Sequence, residues 1–186
     1  GFLRGLAFDE LRQGALVALV QDGLAQAFEV PVGAVQRASM LLGSTPAAAE
    51  LLAEQGLDTS RVAFLGWSMG GYGAMLLGSR LGAGRTAAIT AVSPALWTSS
   101  GAAAPGAFDG PEDYAANSVW GLAALNSIPL RIDCGDSDPF YSATKQFIAQ
   151  LPTPPAGGFS PGGHDGSFWS SQIGAELAWM SPLLTA

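Results

Sequence analysis

The stretch FLGWSMGGYGAMLLG, residues 64–78, constrains this chain more than any other. An apolar run ends in Gly-Trp-Ser-Met-Gly, and a helix-like run follows at once. A Gly-x-Ser-x-Gly pentapeptide in that setting predicts a sharp strand-to-helix turn, the nucleophile elbow, with Ser68 at its apex. Such a turn holds the serine in strained φ/ψ, and glycines two residues to either side leave it room. It exposes the hydroxyl at a helix N-terminus, where a developing oxyanion is favoured. The bland alternative is a tight turn without chemistry; the flanking strand RVAFLG (61–66) and helix GGYGAMLLG favour the elbow.

Composition narrows the classes. The chain has 186 residues, 48% hydrophobic and 12% charged, enough for one domain with a core and too apolar for disorder. Its net charge of −7 argues against a phosphate-binding surface. The single cysteine, Cys134, excludes an intramolecular disulfide, and the single histidine, His164, excludes a two-histidine metal site. No metal and no cofactor are expected. No apolar run is long enough to span a membrane, and the first residues have no signal-peptide pattern. The expectation is a soluble chain, cytoplasmic as it stands.

Residues 1–56 read as helical, in three pieces. FDELRQGALVALVQDGLAQAFEV puts Leu16, Val20, Leu24 and Phe28 four apart, with Pro31 as the break. A second helix covers PVGAVQRASMLLG, and a third follows Thr45 and Pro46 and ends at Gly56. From residue 57 the pattern changes to strands alternating with helices. Strands are predicted at 61–66, 86–93 and 128–135, with an edge strand near Phe159. Helices are predicted after Ser68, within 111–125, over 139–151 and over 165–184. Alternation of this kind predicts an α/β fold with a mainly parallel sheet of about four strands. Two units result: a helical segment at 1–56, packed on the sheet, and an α/β domain at 57–186.

A serine needs a base. His164, in the glycine-rich SPGGHDGSFW, is the only imidazole available. The acid must lie between serine and histidine at a strand end, and RIDCGDSDPF offers Asp133, Asp136 and Asp138. Asp133 lies inside the strand; Asp138 is preferred and Asp136 is the next choice, because both follow the strand's C-terminal end. N-capping the helix that Pro139 opens is the competing role for Asp138. Asp165 reads as a cap for the last helix. The Met69 N–H is one candidate oxyanion donor; the second donor has no evident source before residue 61. Trp67, Phe140, Trp169 and Trp97 flank the proposed site and line an acyl pocket or simply pack the core. Cys134 reads as a small buried strand residue.

GWSMGGYGAML, SPALW, IDCGDSDPF and GGHDGSFW, in that order, resemble the esterase branch of the α/β-hydrolases. That branch includes S-formylglutathione hydrolase (esterase D), feruloyl esterases and the mycolyltransferases. The resemblance covers about residues 50–184. It implies Ser68 as nucleophile, His164 as base and Asp138 as acid. It also implies carboxylic-ester hydrolysis or acyl transfer on a small-molecule ester through an acyl-serine. Members of that family carry more residues before the elbow, so the sheet here is expected to be truncated. Residues 2–43, with FLRG…ELRQGAL and VPVGAVQRASMLLG, instead resemble part of the helical N-terminal domain of ATP-dependent DNA ligases. The adenylation lysine motif is missing and basic residues are sparse, so neither ligase chemistry nor nucleic-acid binding is expected. A chimera is the implied origin, and its alternative function is a stable fold with an incomplete oxyanion hole and little activity. An exposed sheet edge also suggests a homodimer.

Overall fold

A computed structural model of the chain describes residues 61–184 and, as backbone, one strand at 16–20. Among the described residues five strands form one parallel sheet in chain order: β1 (Leu16–Val20), β2 (Val62–Trp67), β3 (Thr86–Val92), β4 (Leu130–Gly135) and β5 (Ala156–Ser160). Among the described residues four α-helices accompany them: α1 (Met69–Leu81), α2 (Pro111–Ala116), α3 (Tyr141–Gln150) and α4 (Gly166–Leu184). Short 3-10 turns at Ser100–Ala102 and Ala123–Asn126 lie within the long β3–β4 connection.

The pleat sorts the core into two halves. Phe64, Ile89, Ala91 and Ile132 turn to one face, where α1 lays Tyr72, Met75, Leu76 and Leu77, and α3 lays Phe147. Ala63, Leu65 and Ala88 turn to the other face, under Met180 of α4. Strands buried on both faces need near-continuous apolar runs, which VAFLG and TAAITAV supply. Each fully buried Ile, Leu or Phe contributes about 1.5–3 kcal/mol. Sequential strand order with α1 and α3 on the same face is what a single crossover hand demands.

The four strands expected from the sequence are present, and the helices after Ser68, over 139–151 and over 165–184 form within a few residues of those bounds. In 111–125 only Pro111–Ala116 is α-helical. One expectation is corrected. Leu16–Val20, read as part of a helix spaced at Leu16, Val20, Leu24 and Phe28, is strand β1, in parallel register from Leu16 opposite Val62 to Val20 opposite Gly66. The physical reason lies in the run itself. LVALV is apolar at all five positions, so it carries no period that favours helix over strand. The edge of β2 supplies the hydrogen-bond partners that decide the matter. The other two helices expected within 1–56, and their docking on the sheet, lie outside the described residues. Among the described residues no helix is long and apolar enough to cross a membrane.

The second face buries a charge cluster. Arg131 grips Asp133 two residues along β4 through both carboxylate oxygens, at 2.6 and 3.0 Å. Glu176 of α4 is fully buried, and neither of its oxygens has a hydrogen-bond partner. Burial, then the Asp133 charge, push its carboxyl up to about 8 against the pull of Arg131. A raised folded-state value makes this group's contribution to stability complete below the unfolded pKa near 4.5 and lost as pH rises through about 8. Glu176→Gln is therefore expected to raise Tm at pH 9 by at least about 4 °C and to change it little at pH 4.5, as thermal melts by circular dichroism across that range will show.

Candidate active site

Three segments far apart in the chain meet beyond the C-terminal ends of β2, β3 and β4, where open parallel sheets place their ligand sites. The first is the turn between β2 and α1. Ser68 has φ 55° and ψ −124°, a conformation costing on the order of 1–3 kcal/mol for a residue with a side chain. Two hydrogen bonds to the β3 end hold it there. Its N–H donates to the Val92 carbonyl at 2.9 Å, and its carbonyl accepts from the Ala95 N–H at 3.0 Å. The glycine directly after the pentapeptide explains the tightness. A Cβ on Gly71 would stand 3.1 Å from the Gly66 carbonyl oxygen and 3.2 Å from that of Val92. The doubled glycine in SMGG thus lets α1 start hard against two strand ends.

The second segment is the loop after β4. Asp138 is buried, and its Oδ1 accepts the Phe140 N–H at 2.8 Å in the turn ahead of α3; the helix itself is capped at Phe140 without a side-chain bond, so Asp138 is not its N-cap. Its Oδ2 lies 2.8 Å from His164 Nδ1, so one carboxylate holds this turn and meets the histidine. Burial would raise the Asp138 pKa, but the hydrogen bonds from His164 and the Phe140 N–H, with the His164 charge, hold it below the usual carboxylate range. Asp136 instead accepts the Gly162 N–H and the Ser137 hydroxyl, and Asp133 pairs with Arg131 on the second face.

The third segment is the loop between β5 and α4. His164 Nε2 is 2.8 Å from Ser68 Oγ, which completes an unbroken chain from serine through imidazole to carboxylate. Asp165 turns away and accepts the Ser167 and Phe168 N–H groups at the start of α4. Gly135, the last residue of β4, makes the convergence feasible. A Cβ there would fall 2.3 Å from the Gly162 carbonyl oxygen, inside the loop that carries the histidine.

Aromatic rings wall the site. Phe140 and Trp169 stand on two sides of His164, each with its ring centroid 5.2 Å away. Trp97 meets Phe140 edge-on at 5.6 Å, and Trp67 stacks on Trp169 at 6.2 Å. Trp67 also packs with the α4 cluster on the second face, so core packing accounts for part of its surface. The Trp97 carbonyl accepts from both the Tyr114 hydroxyl and Trp120 Nε1, at 2.7 Å each, which pins the long β3–β4 connection over the site. Met69 opens α1, so its N–H belongs to the helix's N-terminal set. Cys134 is buried beneath the acid loop; burial and the Asp138 charge push its thiol up to about 12, too high for a thiolate nucleophile. Among the described residues, no group of three or more His, Cys, Asp or Glu side chains is gathered to hold a metal ion.

Sequence reasoning missed Ser93. Ser68 and Ser93, with φ 44°, are the only non-glycine positive-φ residues among those described; Ser93 is wholly buried, and its N–H bonds the Asp133 carbonyl of β4. Its place at the head of SPALW was the available signal, and a Ser-Pro pair closing an apolar strand otherwise reads as an ordinary strand end.

Solved structures share this architecture. A ferulic acid esterase superposes with a TM-score of 0.60 at 23% identity, over 78% of this chain and 61% of its own. An S-formylglutathione hydrolase from Staphylococcus aureus gives 0.54 at 21% identity, over 80% of this chain and 65% of its own. Another, from Agrobacterium tumefaciens, gives 0.54 at 22%, over 75% and 56%. The chain thus has the α/β-hydrolase fold of esterases and spans less than two thirds of the length of these structures. No protein-family model matches it. Curated relatives match only short segments. A probable DNA ligase of Nocardioides sp. is 58% identical over 48 residues, 26% of this chain and 9% of the ligase. One from Beutenbergia cavernae is 47% identical over 68 residues, 36% of this chain and 13% of the ligase. Parts of one chain therefore resemble two different kinds of protein, as a chimera would.

Gly135→Ala is expected to push the histidine loop off β4, destabilising the fold by about 1–3 kcal/mol. It is also expected to shift the ring resonances of the sole histidine, which a denaturant titration and ¹H–¹⁵N spectra will reveal.

Proposed function

We propose that the chain is a serine hydrolase of the carboxylesterase type, acting on small acyl esters through an acyl-enzyme. The observation that carries this reading is the continuous chain from Ser68 Oγ to His164 to Asp138, with 2.8 Å at both junctions. The likeness to esterase folds supports it.

In this reading the Ser68 turn is the nucleophile elbow. Ser68 Oγ attacks the ester carbonyl carbon while His164 Nε2 takes its proton. The carbonyl oxygen becomes an oxyanion at the N-terminus of α1, where the Met69 N–H donates to it. Collapse expels the alcohol, which leaves with the proton from His164, and an acyl-serine remains. Water repeats the sequence: His164 takes its proton, the hydroxyl adds to the acyl carbon, and the acid departs as Ser68 regains a proton. Asp138, kept ionised by its hydrogen bonds, orients the ring and stabilises the imidazolium. Trp97, Phe140 and Trp169 form an apolar pocket beside the reacting carbon.

A second reading follows from length. The chain spans 61% of the ferulic acid esterase chain, and the segments that match ligases bring no chemistry to this site. In that reading the site is inherited but lacks an oxyanion donor, which costs about 10²–10³ in rate. Turnover of p-nitrophenyl acetate and labelling by a fluorophosphonate separate the two. The hydrolase is expected to form one covalent adduct at Ser68. Ser68→Ala is expected to abolish the adduct and lower kcat at least about 10³-fold, and Asp138→Asn to lower it about 10³–10⁴-fold with Tm nearly unchanged. A rate unaffected by Ser68→Ala, with no adduct, refutes the first reading. An adduct with turnover several hundredfold below that of a full-length esterase favours the second.

A further inference from the structure

The imidazole of His164 lies within an unbroken row of rings. Trp67 stacks on Trp169 at 6.2 Å, and Trp169 meets His164 edge-on at 5.2 Å. His164 meets Phe140 at 5.2 Å with a tilt of 55°, and Phe140 meets Trp97 edge-on at 5.6 Å. Both ends of the row are held. Trp67 closes β2, one residue before Ser68, and the Trp97 carbonyl is fixed by the Tyr114 hydroxyl and Trp120 Nε1. The histidine needs such support. Glycines at 162, 163 and 166 surround it, and their backbone freedom leaves the aim of the ring to outside contacts.

Phe140 differs from the other rings of the row in what its main chain does. Its N–H donates to Asp138 Oδ1 at 2.8 Å, while Asp138 Oδ2 lies 2.8 Å from His164 Nδ1. One residue therefore touches both members of the pair, the acid through its N–H and the base through its ring. Its carbonyl accepts the Thr144 N–H at 2.8 Å, which ties it to the first turn of α3. The ring, backed by Trp97, limits the swing of the imidazole away from the carboxylate. Its separation from His164 also falls within the range of about 6 Å over which an aromatic ring attracts a cation.

We propose that Phe140 is a positioning residue for the histidine–acid pair: its N–H fixes one oxygen of Asp138, and its ring holds the imidazole against the other and favours the charged imidazole. This rests on the hydrolase reading of the same site. It gives Phe140 a task beyond walling the acyl pocket. No covalent bond changes hands.

The chain has one histidine, so a single imidazole titration in ¹H–¹⁵N spectra reports the site without any substrate. The charged groups that act on it are Asp138 at Nδ1 and Asp165, next in the chain; Cys134, beneath the acid, stays a neutral thiol up to about 12. Phe140→Leu keeps the N–H and the apolar bulk and removes the aromatic ring. Both losses then act in one direction. Without the ring the charged imidazole is less favoured, and a looser imidazole spends less time against Asp138. The His164 midpoint is expected to fall by about half a pH unit. The acid limb of kcat/KM for p-nitrophenyl acetate is expected to move down with it, and kcat on its plateau to drop roughly tenfold at constant KM. Phe140→Tyr, which keeps the ring, is expected to restore both midpoint and kcat. Should Phe140→Leu fail to fold, Phe140→Met carries the same expectation. A pocket wall alone predicts a raised KM with kcat and midpoint unchanged, and a packing role alone predicts a lower Tm with the midpoint unchanged. A midpoint that stays or rises overturns the proposal and leaves the hydrolase reading intact. If the unaltered protein neither hydrolyses ester nor takes fluorophosphonate, the hydrolase reading falls, and the direction of the midpoint shift still decides whether Phe140 holds the histidine.

Discussion

The pair of hydrogen bonds that binds Ser68 to the end of β3 is the constraint on which the site depends. A serine at φ 55° is unfavourable in isolation, and its own turn offers only the Tyr72 N–H to its carbonyl and no side-chain cap. The compensation comes from the next strand, through the Val92 carbonyl and the Ala95 N–H. Because β3 is in turn bonded to β4, the position of the hydroxyl and the position of the acid are set by one ladder of main-chain bonds. The histidine arrives from a loop on the far side of β4 and must find both. Gly135 allows that loop to lie against the strand end. Side-chain chemistry at the site is thus a consequence of backbone packing among three strand ends.

Electrostatics follow from the same arrangement. Asp138 is buried, which alone would neutralise it, and the His164 ring and the Phe140 N–H keep it ionised. Glu176 is buried on the other face without donors and is driven toward the neutral acid. The two carboxyls differ in hydrogen-bond supply, and supply decides charge. A carboxylate kept ionised next to an imidazole serves acid–base chemistry. A carboxyl forced neutral under α4 makes the fold's stability sensitive to pH.

Much of this was legible in the residues. The pentapeptide with its apolar run before and helix after pointed to the strand, the turn and α1. One histidine in the whole chain left no choice of base. The acid was less clear, since three aspartates lie within six positions, and the preference for Asp138 over Asp136 rested on loop position and on resemblance. What was not legible had specific causes. LVALV is apolar throughout, so its strand state depends on an available β2 edge and not on any internal pattern. Ser93 has a common residue type in a common context, and its positive φ accompanies main-chain bonds to β4 and to the Ser68 turn that no local pattern announces. Glu176 carries no signal of burial along the chain; it is buried only because its helix packs against β3 and β4.

By itself the sequence determined the alternation of strands and helices, the turn at Ser68 and the inventory of reactive groups, because these follow from local period, glycine placement and counting. Only the tertiary structure decided which strand borders β2, which aspartate meets the imidazole, and which hydroxyl and carboxyl are buried without partners. Each of those depends on distances between segments tens of residues apart, and such distances are set by sheet register and helix packing rather than by any neighbourhood along the chain.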